Sequence, residues 1–264
     1  MTIKLGIFDS GIGGFTVLKS LLLKREGVDV IYLADTKRNP YGEKNRKEIR
    51  LIAAEISNWF KGKDLDALLI ACNTTNACAL DILRKELAVP SFDLINSVAM
   101  DVTSDRVAVL ATSSTVNSLS YKKTIESYVE NVEVFQQACP EFVPEIEKFP
   151  LDSERINLLS EIYLKPILDK NIKEIILGCS HYPLIHEILK NKLSKNMKII
   201  DPSIAMINSL NNYFPKSGNP SYEEGSYNNV EFYTTSNIEE FSFKVKNWLG
   251  ISKEINLVSL RTDA

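Results

Sequence analysis

The feature that most restricts the fold is a regular alternation of short apolar segments with longer segments whose apolar residues have helical spacing. The short segments have the length and composition of buried strands, and they cover residues 3–9, 29–35, 66–72, 106–112, 132–138, 173–179 and 198–201. The helical pattern covers residues 14–24, 46–62, 77–87, 120–129, 153–170, 186–193 and a segment near 241–250. This alternation predicts an α/β fold in which doubly wound parallel sheets are covered by helices on both faces.

Two stretches interrupt the alternation. Residues 97–105 separate two series of strands, and we expect them to cross from one to the other. Residues 215–229 are rich in turn formers, which predicts a surface loop.

Length and charge limit the classes of function. The 264 residues suit one large domain or two modest ones. The net charge of −3 gives no basic surface that nucleic acid would need. No apolar run reaches the roughly 18 residues of a membrane span, and the first residues do not form a signal peptide. We therefore expect a cytoplasmic protein with neither a nucleic acid nor a membrane partner.

The four cysteines predict thiol chemistry rather than a disulfide framework or a metal site. They show no CxxC spacing, and only two histidines could serve as further ligands. Cys78 and Cys139 are interpreted as small buried hydrophobic residues. Cys72 and Cys179 differ, because each ends a predicted strand and is followed by small polar residues.

Five predicted strands end in small polar or nucleophilic residues: FDSG, LADT, ACNT, LATS and LGCS. Ligands of parallel sheets bind beyond the carboxyl ends of the strands, so these endings predict one shared site. Helix capping is an alternative for any single ending, since Ser, Thr, Asp and Asn are ordinary N-caps. The glycine-rich DSGIGG lacks the GxGxxG order and the Lys-Ser ending of nucleotide-binding loops.

The two halves of the chain resemble each other. LGIFDSGIGGFTVLKS and VAVLATSSTVNSLSY each combine a strand, a hydroxyl-rich turn and a helix, and DALLIACNT corresponds to EIILGCSH. This weak repeat predicts two pseudo-symmetric α/β lobes. If their carboxyl edges face one another, each lobe presents one cysteine to the cleft between them.

Two thiols on opposite sides of one ligand suit inversion of a stereocentre. One thiolate removes a proton from carbon, and the other thiol delivers a proton to the opposite face. Such groups need local partners that adjust their protonation, and Asp9 could serve Cys72 while His181 serves Cys179. Hydrogen bonds to a ligand could come from Ser10, Asn73, Thr74, Thr75 and Ser180.

Five ordered motifs closely resemble the glutamate racemases of the cofactor-independent aspartate/glutamate racemase superfamily: GIFDSGIGG, LADTKRNPYGEK, ACNTTNA, ACPEFVPEIE and GCSHYPL. The resemblance implies two α/β domains, one of residues 1–95 plus 206–264 that carries Cys72, and one of residues 96–205 that carries Cys179. It implies interconversion of L- and D-glutamate by these two thiols with no cofactor and no metal. It also implies a homodimer that supplies D-glutamate for cell-wall peptidoglycan, and hence for cell shape.

The same resemblance assigns residues to the site. It places Asp9 and Ser10 there, makes Pro40, Tyr41 and Gly42 a loop that closes over the substrate, and brings Asn73, Thr74, Thr75, Thr115, Glu147, Ser180 and His181 to the pocket. The chain departs from the family at Ser180, where Thr is usual, and at Asn76, where a small residue is usual. It also has Lys37, Arg38 and Asn39 where Ala-Arg-Val is usual.

Other functions are compatible with these residues. An aspartate or hydantoin racemase would use the same two thiols. A thiol hydrolase or transferase would need only one cysteine as nucleophile, and an amino-acid-binding protein could keep the fold without racemisation.

Overall fold

A computed structural model describes residues 2–215 and 227–260, so the predicted loop at 215–229 lies largely outside the described residues. The strands are β1 Ile3–Asp9, β2 Val28–Ala34, β3 Ala67–Ile70, β4 Ser91–Asp93, β5 Arg106–Ala111, β6 Glu133–Ala138, β7 Glu174–Gly178, β8 Lys198–Ile200, β9 Val230–Thr234 and β10 Ile255–Leu257.

The α-helices lie between these strands. They are α1 Gly14–Lys24, α2 Arg46–Lys61, α3 Asn73–Glu86, α4 Leu94–Ala99, α5 Ser113–Ser118, α6 Ser120–Tyr128, α7 Phe142–Ile146, α8 Ser153–Leu168, α9 His186–Lys190, α10 Pro202–Tyr213 and α11 Ile238–Leu249. A 3₁₀ segment, Tyr182–Ile185, precedes α9.

The strands form two parallel sheets, which confirms the predicted α/β class. One sheet has the order β10-β9-β2-β1-β3-β4 and the other β6-β5-β7-β8. We call residues 3–93 with 230–257 the first lobe, because they supply every strand of the first sheet, and residues 106–200 the second lobe. Strands from both ends of the chain therefore share the first sheet. The domain boundaries at residues 95 and 205 remain predictions.

Local sequence explains why these segments become helices. In α2, the N-cap Asn45 accepts a hydrogen bond from the backbone N–H of Glu48, whose acidic side chain suits the positive end of the helix. The apolar residues of α2 recur every three or four positions and face the sheet, so burial of this stripe stabilises the helix; they are Ile49, Ile52, Ile56 and Phe60.

Four local predictions were wrong or incomplete. The third helix begins at Asn73 rather than residue 77, because Cys72 is its N-cap, and it is kinked at Ala79. The crossing segment shares residues 97–99 with the end of α4. The helix predicted for 186–193 ends at Lys190. Helix α10 was not predicted, although Asp201 followed by Pro202 is a strong helix start.

Of the described residues, no helix combines the length and the apolar character that a membrane crossing requires.

Candidate active site

The carboxyl ends of strands from both lobes face one cavity. Its wall contains Cys72 and Cys179 together with Ser10, Tyr41, Gly42, Asn73, Thr74, Thr112, Val143, Ser180 and His181. Both thiols are almost completely buried. The two lobes thus contribute one thiol each to a shared space, as the internal repeat predicted.

The cavity is narrow. The volume inside it that the centre of a water molecule can occupy is about 10 Å³. This volume holds about one water. The space between the thiols is therefore smaller than a molecule of amino-acid size.

Cys72 is placed by the strand-to-helix turn between β3 and α3, where it caps the helix. Burial, together with the nearby Asp9 carboxyl, raises the pKa of its thiol to about 12, although hydrogen bonds from Thr75 act in the opposite direction. Cys72 is therefore a protonated thiol in this closed arrangement.

Asp9 ends β1 and is fully buried. Its Oδ1 accepts a hydrogen bond from the N–H of Gly11 at 2.8 Å, and its Oδ2 accepts one from the Ser180 hydroxyl of the other lobe at 2.9 Å. Burial raises the pKa of Asp9, against the lowering effect of His181 and these hydrogen bonds. Asp9 can therefore exchange a proton more readily at neutral pH than an exposed aspartate.

Cys179 is paired with an imidazole. Its Sγ lies 3.8 Å from Nδ1 of His181, and Nε2 of His181 lies 2.7 Å from Oε1 of Glu147. Burial lowers the pKa of His181, but the contacts with Cys179 and Glu147 outweigh it and raise the pKa well above its usual value. His181 therefore lies between the Cys179 sulfur and a carboxylate, within reach of both.

Glu147 accepts hydrogen bonds from both lobes. Besides His181, its donors are the side chain of Asn39 at 2.9 Å, the N–H of Ile12 at 3.3 Å and Nζ of Lys244 at 2.9 Å. Burial opposes ionisation, yet His181 and Lys244 lower the pKa of Glu147 to about 2. The carboxylate is thus ionised at neutral pH and ties the second lobe to the first.

The glycines of DSGIGG allow the lobes to approach closely. A Cβ on Gly13 would lie 2.5 Å from Nδ1 of His181 and would also overlap the Ser180 hydroxyl. A Cβ on Gly11 would overlap Oε1 of Glu147. This loop is glycine-rich because functional side chains of the other lobe pack directly on its backbone.

Tyr41 presents its ring to the cavity, but its hydroxyl points elsewhere. The hydroxyl donates to Oδ2 of the buried Asp35, which is held in turn by Arg38 and by Thr235 at 2.7 Å. Burial and the Asp35 charge raise the pKa of Tyr41 well above its usual value. Tyr41 therefore shapes the cavity through its ring and its backbone.

The structure separates the predicted site residues into two groups. Most line the cavity: Cys72, Cys179, Ser10, Tyr41, Gly42, Asn73, Thr74, Ser180 and His181. The others support it: Asp9, Glu147 and Thr75 contact lining residues, Thr115 lies behind Thr112 at 3.0 Å, and Pro40 faces a neighbouring cavity.

Three contributors were not predicted as site residues. Thr112 could have been found, because it belongs to the LATS strand ending. Val143 and Lys244 carried no signal, since their positions follow from packing of α7 and α11.

The departures at Asn39 and Asn76 have structural explanations. Asn39 donates to Glu147, as described above. Asn76 donates to the backbone carbonyls of Ile70 and Cys72 and accepts from the N–H of Leu94 at 2.8 Å. It therefore fixes the Cys72 turn to the start of α4.

Across residues 2–215 and 227–260, no group of three His, Cys, Asp or Glu side chains is arranged to hold a metal ion. The expectation that Cys78 and Cys139 are buried is confirmed.

Comparisons with known proteins agree on one family. The family model for Asp/Glu/hydantoin racemases matches residues 21–210. The glutamate racemase of Prochlorococcus marinus strain NATL1A is 46% identical over 259 residues, which cover 98% of this chain and 97% of that protein. Two crystal structures each cover 98% of both chains. One, a glutamate racemase isoform of Bacillus anthracis, has a TM-score of 0.87 at 27% sequence identity. The other, the Francisella tularensis glutamate racemase in complex with D-glutamate, has a TM-score of 0.85 at 34% sequence identity.

Proposed function

Because the chain belongs to the Asp/Glu/hydantoin racemase family, and is therefore an isomerase, we propose that it interconverts L- and D-glutamate with Cys72 and Cys179 as the two proton-transfer groups. The observation that carries this proposal is that two buried thiols, one from each lobe, line a single cavity. The full-length similarity to glutamate racemases supports glutamate as the substrate.

The reaction is a proton exchange at Cα. The thiolate of one cysteine takes the α-proton, and the thiol of the other gives its proton to the opposite face of the carbanion. The C–H bond that breaks and the C–H bond that forms leave substrate and product isomeric, and no electron is gained or lost. In the reverse direction the two sulfurs exchange roles, which explains why both groups are cysteines.

The two sulfurs have different partners. Burial and the nearby Asp9 keep Cys72 a thiol, whereas Cys179 lies beside His181, which is bonded to Glu147. The raised pKa values of Asp9 and His181 allow these groups to exchange protons beside the two sulfurs.

The supporting polar groups would hold the substrate. Neutral donors such as Ser10, Asn73 and Thr74 line the cavity and could bind the carboxylates, with closure of the lobes excluding water. The proposal extends to a cytoplasmic homodimer that supplies D-glutamate for peptidoglycan.

The proposal is tested by incubating the protein with L-glutamate in heavy water, with no added cofactor. We expect optical inversion and deuterium at Cα of the product, because a solvent-exchanged thiol supplies the new proton. Absence of inversion would refute the racemase assignment, and inversion of aspartate alone would replace the substrate.

Cysteine variants test the two-thiol mechanism. Cys72→Ala and Cys179→Ala should each lower racemisation by about 10³-fold, because each removes an acid or a base. Cys78→Ala is the matched control, since Cys78 is buried but does not line the thiol cavity, and it should retain activity. Racemisation at the original rate in either site variant contradicts the mechanism.

A further inference from the structure

The side-chain amide of Asn73 has a hydrogen-bond partner for its oxygen but, among the described residues, none for its nitrogen. Asn73 is the first residue of α3, directly after Cys72, and it lines the thiol cavity while being almost fully buried. Its Nδ2 has no hydrogen-bond partner among the described residues. A buried N–H group without an acceptor is unfavourable, so this amide is suited to an acceptor that arrives with a ligand.

The other side of the same amide is bonded to the second lobe. Oδ1 of Asn73 lies 2.6 Å from the hydroxyl oxygen of Tyr121, a residue of α6 with no exposed surface. An O–H···O hydrogen bond is typically shorter than an N–H···O bond, so this distance fits the tyrosine donating to the amide oxygen. The hydroxyl thereby selects the orientation in which the amide NH₂ is not turned toward Tyr121.

Tyr121 keeps its proton for this contact. Burial raises the pKa of Tyr121 well above its usual value, and the neighbouring Asp93 and Cys179 act in the same direction. The side chain is thus a neutral donor at neutral pH.

We propose that Tyr121 is a positioning residue for racemisation, orienting the Asn73 amide so that Nδ2 donates to a carboxylate of the bound amino acid. This inference rests on the proposed function, since it assumes a dicarboxylate substrate in the thiol cavity. Tyr121 belongs to the second lobe and Asn73 to the first. The amide is therefore oriented only when the lobes are closed, which links substrate binding to closure.

The effect of losing the hydroxyl follows from the amide chemistry. Without Tyr121 as donor, the Asn73 amide can rotate by half a turn and present its carbonyl oxygen to the substrate carboxylate, where it repels rather than binds. The substrate already carries that carboxylate before the proton is removed, so the loss weakens substrate binding. Such a change raises KM.

The test compares Tyr121→Phe with Tyr163→Phe. Tyr163 is also a buried tyrosine of the second lobe, but its hydroxyl contacts Glu141 away from the cavity. We expect KM for glutamate to rise by about fivefold to tenfold in Tyr121→Phe, and both KM and kcat to be unchanged in Tyr163→Phe. An unchanged KM in Tyr121→Phe, even with a lower melting temperature, would overturn the inference.

A double-mutant cycle separates positioning from a general packing effect. In an Asn73→Ala background, Tyr121→Phe should have no further effect on KM, because the amide that it orients is gone. A persisting increase in KM would show that Tyr121 acts through another group and would also overturn the inference. Racemisation by the unmodified protein tests the proposed function separately, so the two can fail independently.

Discussion

His181 and Glu147 form a buried ion pair at the boundary between the two lobes, with Nε2 of the imidazole 2.7 Å from Oε1 of the carboxylate. His181 contacts the Cys179 sulfur on its other side. The carboxylate in turn binds Lys244 and Asn39 of the first lobe. The pKa of Glu147, the carboxylate partner of His181, is therefore lowered in part by Lys244, a contact that joins the two lobes.

The first prediction concerns the charge of Glu147. Glu147→Gln removes the carboxylate that raises the pKa of His181, so the imidazole should titrate at lower pH and racemisation should fall by about 10²-fold. The chain has only two histidines, so both can be followed by NMR of histidine-labelled protein. His186 pairs with Glu187 on the surface and serves as the internal reference. Equal titration of His181 in variant and parent would contradict the ion-pair role.

The second prediction concerns Lys244. Lys244→Met removes one of the donors that hold the pKa of Glu147 near 2, so that pKa should rise toward its unfolded value of about 4.3. A carboxylate with a lowered native pKa stabilises the fold above its unfolded pKa and loses that contribution as pH falls through the native pKa. The free energy of unfolding of the variant should therefore be lower by about 1.5 kcal/mol at pH 7. This difference should diminish only below about pH 4.

Urea unfolding between pH 7 and pH 2.5 measures this dependence. Lys246→Met is the control, because Lys246 is exposed on the same helix and has no contact with Glu147. If the free energy of unfolding lost in Lys244→Met is the same at every pH, Lys244 stabilises the fold by packing rather than by its contact with the Glu147 carboxylate.

The sequence was sufficient to predict the alternating fold and the residues at strand ends. Strands buried in a parallel sheet are apolar along their whole length, and parallel strands bring their carboxyl ends to one edge. Asp9, Cys72 and Cys179 could be found for that reason. Short edge strands such as Ser91–Asp93 and Ile255–Leu257 have no such pattern, since only three residues pair with a neighbour.

The supporting contacts could not be predicted in the same way. Lys244 lies on an amphipathic helix and has the ordinary appearance of a surface lysine until packing brings it to Glu147. Tyr121 similarly occupies a helix position typical of core residues, and its hydroxyl matters only because Asn73 of the other lobe meets it. Contacts between lobes depend on tertiary geometry that local periodicity does not encode.

The third prediction concerns the effect of Asp9 on the stability of the fold. Its native pKa is raised, so the unfolded chain releases this proton at lower pH than the folded protein does, and stability falls as pH rises between the two pKa values. Asp9→Asn has nearly the same shape and no charge. The free energy of unfolding of the variant minus that of the parent should therefore be larger at pH 7 than at pH 3. Racemisation should fall by about 10²-fold. Denaturant titrations at both pH values measure the difference, and an equal difference at both would contradict the raised pKa.

The fourth prediction concerns Gly13, where the backbone of the first lobe lies against His181 and Ser180. An added methyl group cannot fit there without moving both side chains, and displacement of catalytic groups by about 1 Å can lower rates by 10²-fold. Gly13→Ala should therefore lose about 10²-fold in racemisation. Gly62 ends α2 with a negative φ, and nothing lies within 4 Å of an added Cβ, so Gly62→Ala should keep activity and gain up to about 1 kcal/mol in stability.

Activity assays and melting curves of the two alanine variants decide whether the Gly13 contact is functional. If Gly13→Ala only lowers the melting temperature and keeps the parent rate below it, the close approach of the lobes is a packing feature. If instead the rate falls while far-UV circular dichroism stays native, the absence of a side chain at Gly13 is what permits Ser180 and His181 to pack against the first lobe. The second outcome is expected, because Ser180 bonds Asp9 directly across this glycine-lined boundary.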